Sequence, residues 1–362
     1  MLVNEVVNSK AIALARTEDA SNQIPYLGLN WFPEKKKNGL DLKWIKTHKG
    51  LAVSLAPSNF DALPTIRARG GLEMKKTQMA FFREAMLVSE EDAQEIARIK
   101  DENDPYLEAA LNSIYDDTNT LLDGAEVVPE RMRMQLLATV NGHPMIGIEN
   151  ADGVKYAYDY DPDGTYAATH YAKLTGTDMW SDTENSKPID DLNRGRKALS
   201  KLGRVAKYVL MTSTTFAYLA QSKQVRNSVL ANAMFNLDDT LDDDVVISVI
   251  EKRTKLTPVI YDKMFIDDNG QEQNFYPDNK VTLLPEGGLG STWFGTTPEE
   301  RSAGQVADMD VTIYGTGIAI AVQTERKGGV ISTSTTASEI TLPSYENMDS
   351  TYVIEVAETT EP

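Results

Sequence analysis

The 362-residue sequence predicts an α+β fold, and three observations predict it. One long helical stripe runs from Pro105 to Asn141, strand-like alternation and turns precede it from Leu40 to Met86, and the segment from Asp310 onward is strand-rich. The helix organises the chain. Apolar or small residues fall at Leu107, Leu111, Ile114, Thr118, Leu121, Ala125, Val128, Met132, Leu136 and Val140, at steps that keep them on one face. Glu108, Asp116, Asp117, Asp123, Glu126 and Glu130 fill much of the remaining surface, so the helix is expected to lie on something apolar with its back in water. Asn141-Gly142 supplies residues able to take the left-handed conformation that ends many helices. Gly124 and Pro129 interrupt the run. Pro129 removes an amide donor and crowds the carbonyl of Ala125, which predicts a kink or break between Gly124 and Val128.

Composition narrows the function classes. With 41% hydrophobic residues the chain can bury one large core or two modest ones. No apolar run approaches the roughly 20 residues of a membrane span. The N-terminus lacks the basic-then-apolar order of a secretory signal, so a cytoplasm is the expected compartment. There is no cysteine and only three histidines (His48, His143, His170), which excludes disulfides, thiol nucleophiles and thiolate metal sites. Net charge is −18 and unevenly spread: residues 1–100 carry 15 Lys and Arg against 12 Asp and Glu, the rest 21 against 42. An acidic body repels phosphate backbones, so sequence-independent nucleic-acid binding is not the expected task. A basic front beside an acidic body favours contact between subunits.

Residues 1–24 read as an extended or partly helical arm. Ile24 to Pro33 is an apolar and aromatic patch holding Trp31 and Phe32, which in so open a segment must bury against something. Leu40 to Lys46 alternates as a strand. Leu51 to Met86 reads as strands broken at Pro57, Pro64 and Gly70-Gly71, and Arg67-Ala-Arg-Gly-Gly71 reads as a hairpin tip, either a solvated turn or a projection that reaches a neighbour. Ser89 caps a short helix over Glu90 to Lys100. Paired strands follow at Met145–Glu149 and Val154–Tyr160. A helix runs from Ser186 to about Leu202 with Gly203 closing it, then a buried strand over Lys207–Met211 and a helix from Thr214 to Gln221. A further helix covers Val245–Lys252, and strands cover Pro258–Tyr261, Lys263–Ile266 and Gln271–Tyr276, the last two joined at Asn269-Gly270. The closing strands are Val311–Tyr314, Ile318–Gln323, Val330–Leu342 and Tyr352–Val356.

Three stretches invite chemistry. Asp159-Tyr-Asp-Pro-Asp-Gly164 matches the opening of a calcium loop, but its twelfth position is His170 and not the bidentate Glu, so a plain acidic turn is the stronger reading. Ser213 sits between a strand and a helix without a Gly-x-Ser-x-Gly frame, which makes Thr212-Ser213 a cap. The glycines of 287–290 lack the Gly-x-x-x-x-Gly-Lys-Ser/Thr frame and precede an aromatic strand. An acidic metal-dependent enzyme built on Asp159, Asp161 and Asp163 or on Asp242 to Asp244, or a calcium-binding module, is the alternative reading; no cofactor is expected.

Several stretches together resemble the major capsid proteins of tailed bacteriophages, of the lambda E type. They are Leu55-Ala-Pro with Ile66-Arg-Ala-Arg-Gly-Gly71, Pro129-Glu-Arg-Met-Arg-Met-Gln-Leu-Leu137 leading to Asn141-Gly142, Trp180-Ser-Asp with Pro188-Ile-Asp-Asp-Leu192, and Asn274-Phe-Tyr-Pro-Asp-Asn279 with the Leu283-Leu-Pro to Gly290 run. The resemblance implies a Hong Kong 97-like capsid fold: an N-terminal arm (1–48), an extended loop (49–88), a peripheral domain with a long spine helix (89–186), an axial domain (187–307) and a return to the peripheral domain (308–362). It implies a structural, non-enzymatic protein that assembles with itself as hexamers and pentamers into an icosahedral head around double-stranded DNA. Scaffold, portal and decoration proteins are the further partners it implies, with assembly in the host cytoplasm and no membrane. Arg67, Arg69, Gly70, Gly71, Lys75 and Lys76 of the loop, with Trp31 and Phe32 of the arm, are the inter-subunit contacts it implies.

Overall fold

The computed structural model describes residues 9, 25–46, 73–88, 105–149, 153, 155–230, 242–267, 270–304, 309–327 and 330–358. In chain order the strands and helices are β1 (Glu34–Lys36), β2 (Asp41–Lys46), β3 (Glu73–Gln78), β4 (Ala80–Val88), α1 (Pro105–Ala138), β5 (Met145–Glu149), β6 (Lys155–Asp159), α2 (Thr165–His170), β7 (Tyr171–Lys173) and α3 (Pro188–Lys201). Then come β8 (Tyr208–Met211), α4 (Ser213–Gln221), α5 (Lys223–Leu230), α6 (Asp243–Thr254), β9 (Thr257–Ile260), β10 (Met264–Ile266), β11 (Glu272–Asn274), β12 (Lys280–Leu284) and β13 (Ser291–Phe294). α7 (Pro298–Ser302), β14 (Met309–Tyr314), β15 (Ile318–Lys327), β16 (Val330–Ser344) and β17 (Tyr352–Glu355) complete the described elements. Residues 1–24 of the expected arm, apart from Ser9, the Glu90–Lys100 helix and the Arg67 to Gly71 hairpin tip lie outside the described residues. Among the described residues no helix is long and apolar enough to cross a membrane.

The chain divides into two compact units. The first comprises residues 1–43, 76–131 and 291–344, and its described part is built on β16. At roughly 3.3 Å per residue this 15-residue strand spans about 50 Å. It pairs antiparallel with β4 on one side, and with β13 and β15 in succession on the other. β14 extends the sheet beyond β15, and β1 lies parallel to β13. The strand is rich in Thr and Ser, and the β-branched side chain of Thr fits the pleat. Thr324 and Thr333 face each other across β15 and β16 with hydroxyls 3.2 Å apart, and buried Ser338 donates to the Glu299 carboxylate at 2.6 Å.

The second unit comprises residues 44–75, 132–290 and 345–362. Its five-stranded sheet has the order β7-β17-β12-β8-β9, with β8 parallel to β9, β7 parallel to β17, and β12 antiparallel to both its neighbours. Leu192, Leu199, Phe216, Leu219, Val225, Val246 and Ile250 from α3 to α6 pack with Val209, Met211, Val281, Leu283 and Ile354 of the sheet into one core. The C-terminal strand β17 is buried at every position and belongs to this sheet, so 345–362 group here and apart from 309–344. α5 was not legible as a helix in the sequence. It buries Val225 and Val229 on a single face of a short, polar segment.

α1 runs without a break through Gly124 and Pro129, against the expected interruption. Pro129 costs one rung of the ladder, and the buried side chains on either side of it, Leu121, Leu122, Met132, Met134, Leu136 and Leu137, hold the helical path. A second expectation also changes. Glu130, read as part of the wet surface, is fully buried and accepts the Gly28 amide at 2.9 Å. Val140, the last member of the predicted stripe, lies past the helix and is 44% exposed.

The helix ends at Ala138, ahead of the predicted stop at Asn141-Gly142, because Thr139 is the first residue to turn left-handed. Thr139, Asn141 and Gly142 all take positive φ, and Val140 and His143 exchange backbone hydrogen bonds of 2.8 Å. The terminal carbonyls do not go unpaired. The Leu137 carbonyl accepts the Thr282 hydroxyl at 2.8 Å, and the Thr139 carbonyl accepts Lys280 Nζ at 2.7 Å, so β12 caps the helix and places a cation at its negative end. The Thr282 hydroxyl also meets the buried Tyr276 hydroxyl at 2.8 Å.

Thr282→Val should therefore lower stability by about 1–3 kcal/mol, read from the urea midpoint at unchanged slope, because two buried polar groups lose a partner. At Gly317 an added Cβ would sit 2.4 Å from Phe294 Cβ. Gly317→Ala should cost about 1–3 kcal/mol through overpacking, read in the same way.

Candidate assembly surfaces

β2 and β3 pair as a two-stranded ribbon outside both larger sheets. Lys75 and Lys76 lie on β3. Lys76 Nζ reaches the Asp41 carboxylate at 3.0 Å across the ribbon, with both side chains more than half exposed. The hydrogen bond and charge of Lys76 hold the Asp41 carboxyl below the usual carboxylate range. Arg67, Arg69, Gly70 and Gly71 lie in the chain between β2 and β3, outside the described residues.

Trp31 and Phe32 follow a 3-10 turn at Leu27–Asn30 and are 4% and 0% exposed. Both amides donate to the Gly28 carbonyl, and the Phe32 carbonyl accepts the Thr292 hydroxyl at 3.1 Å. The aromatic surface that the sequence says must be buried is covered inside the subunit. The parallel pairing of β1 with β13 draws this segment in.

Two other surfaces were not singled out from the sequence. Residues 192–210 hold six Lys and Arg and no Asp or Glu, in a chain of net charge −18. Arg194 pairs with Asp191 at 2.6 Å, and Lys207 pairs with Glu286. Arg196, Lys197, Lys201 and Arg204 have no carboxylate partner among the described residues. Between them lie Leu202 and Val205, 37% and 80% exposed. The charge run was visible in the sequence; the exposure of its valine was not.

The second surface is the β10–β11 hairpin. Phe265 turns inward to Phe275, ring centroids 4.9 Å apart, while Met264 and Ile266 are 49% and 70% exposed. Ile266 stands opposite exposed Glu272. The hairpin turn is tied by mutual Asp267 and Gln271 contacts, with Gly270 at φ +75°.

The carboxylates read as metal candidates have other work. Asp161 is buried, and its Oδ2 accepts the Tyr166 amide at 2.9 Å and the Ala167 amide at 3.2 Å; its Oδ1 accepts the Thr165 hydroxyl at 2.9 Å. It satisfies the free amides at the start of α2. Asp159 Oδ1 accepts the Asp161 amide at 2.8 Å, and Asp242 caps α6 by accepting the Asp244 amide. Among the described residues no three acidic or His side chains gather as a metal site. Thr212, not Ser213, is the N-cap of α4; its hydroxyl accepts the Thr215 amide, and Ser213 begins the helix. Asp161→Ala should lower the thermal midpoint by an amount equivalent to about 1–3 kcal/mol, and calcium or a chelator should leave the midpoint of the unaltered protein unmoved.

The comparisons with known proteins agree with this reading. The family model for phage major capsid protein E matches residues 12–319. No curated protein matches. A phage-related protein from Bordetella bronchiseptica RB50 has a similar structure, at 14% identity and a TM-score of 0.57, with 97% of this chain and 98% of that one covered. A protein assigned as a prophage capsid protein in E. coli CFT073 is similar at 12% identity and a TM-score of 0.58, with 97% and 99% covered. At such identities the likeness shows the fold, which is the Hong Kong 97-like capsid fold. With the family model spanning most of the sequence, this chain is a structural capsid protein that belongs to the phage major capsid protein E family.

Proposed function

We propose that many copies of this chain assemble as hexamers and pentamers into an icosahedral phage head that encloses double-stranded DNA. The observation that carries this reading is the family match over residues 12–319 on a capsid fold. In it the five-stranded sheet and α3 to α6 form the axial domain, and the six-stranded sheet with most of α1 forms the peripheral domain. The β2–β3 ribbon is the root of an extended loop that overlaps a neighbouring subunit. Arg67, Arg69, Gly70 and Gly71 make the contact at its tip, and Lys75 and Lys76 make it along the stem. Trp31 and Phe32 support the arm from inside the subunit.

The contacts are noncovalent and individually modest, and closure comes from their number. The role is non-enzymatic. Scaffold, portal and decoration proteins are the remaining partners, and shells form in the host cytoplasm before ending in the virion.

Sedimentation velocity of the purified protein, with negative-stain images of the fast fraction, tests the reading. Capsomers, tubes or closed shells are the expected outcome, and Arg67→Glu with Arg69→Glu should reduce the fast fraction about tenfold while leaving the monomer folded. A chain that stays monomeric with and without a co-expressed scaffold would overturn it.

A further inference from the structure

The second unit carries two exposed surfaces of matched chemistry at opposite ends of its own sheet. The basic corner, residues 202–207, leads into β8; just before the strand the Lys207 amide donates to the Leu284 carbonyl and its carbonyl accepts the Thr257 amide. The β10–β11 hairpin leaves from the other end, where the Tyr261 amide donates to the Met211 carbonyl beyond the last residues of β8 and β9. With β8 and β9 parallel, a full strand length, about 13 Å, separates the two ends. Within one copy the hairpin and the corner therefore leave from opposite ends of β8 and β9.

The two surfaces complement each other in both charge and polarity. Near exposed Val205 in sequence lie exposed Lys201 and half-buried Arg196 and Arg204, whose Nε atoms, and Nη2 of Arg204, are buried without a hydrogen-bond partner among the described residues. The hairpin presents exposed Glu272 beside exposed Met264 and Ile266, with Asp262 and half-buried Asp267 at its base and turn, each also accepting a backbone amide. An apolar centre rimmed by arginine is the composition of a protein interface, and opposite charges set its register. A phosphate backbone would satisfy the cations and leave Val205 against water, so the observations favour a protein partner, and the chain's own hairpin supplies the required acid and apolar groups.

We propose that the β10–β11 hairpin of one copy docks on the 202–207 corner of the next, Ile266 against Val205 and the hairpin carboxylates against Arg204 and Lys201. Because the two patches differ, the contact is heterologous and propagates around a ring instead of closing a two-fold pair. The proposal rests on the self-assembly reading and names a contact within it.

The chain has no cysteine, so introduced thiols are unique. Val205→Cys combined with Ile266→Cys, treated with a short bismaleimide, should give a ladder of covalent oligomers on a denaturing gel, whereas each single variant should stop at dimers. Ile266→Asp should lower the assembled fraction about tenfold, with an unchanged thermal midpoint because the side chain is exposed. Particles that form without a ladder would overturn this contact and leave the shell reading intact; a ladder from a protein that forms no shell would keep the contact and sink the shell. Retention of double-stranded DNA at physiological salt that is lost in Arg204→Glu, with no ladder, would overturn the proposal in favour of a nucleic-acid surface.

Discussion

The capping of α1 is the constraint from which the second unit is built. A 34-residue helix ends with carbonyls that need donors, and burial removes water as a donor. The donors come from two alternate residues of β12, Lys280 and Thr282, whose side chains project to the same face of the sheet. β12 is the central strand, hydrogen-bonded to β8 on one side and β17 on the other, so the requirement at the helix end sets where the sheet's middle lies. Tyr276 then closes on Thr282, and a second buried hydroxyl cluster joins Tyr166 and Tyr345 to Thr351 at 2.8 and 2.9 Å. Burial raises the pKa of all three tyrosines well above the physiological range, so they serve as neutral hydrogen-bonding groups.

The first unit rests on a different device. One strand, β16, runs through the interior of the sheet with β4 on one side and β13 and β15 in succession on the other, so that Ala80–Val88 joins strands from more than 200 residues later in the chain. The close approaches are made by glycine. A Cβ at Gly295 would lie 2.8 Å from Ile340 and 2.9 Å from the Gly39 carbonyl, so the aromatic strand β13 ends at a residue with no side chain to place there.

Legibility in the sequence followed the range of the physics involved. The left-handed turn at Asn141-Gly142, the β10–β11 pairing, the β5–β6 pair and the closing glycine of α3 were all readable, because each depends on neighbours within a few residues. Gly28 and Glu130 are 102 positions apart, and nothing local marks that pairing. The same holds for Pro129, whose local preference is to interrupt a helix that long-range burial keeps whole. Of the surfaces, the charge of the 192–210 run was legible and its relation to the hairpin was not, since that relation exists only once β8 and β9 are known to lie parallel.

By itself the sequence determined the α+β class, the place of the long helix, most strands and turns, the absence of thiol chemistry and the uneven charge, and its ordered motifs pointed to the capsid family. These follow from periodicity, turn chemistry and composition, which act along the chain. Only the tertiary structure decided that Trp31 and Phe32 are covered at home, that Asp161 serves helix amides, that β17 joins the five-stranded sheet, and that Val205 and Ile266 face solvent at its two ends. Burial and pairing are properties of what a residue meets across the fold, and distant segments supply that.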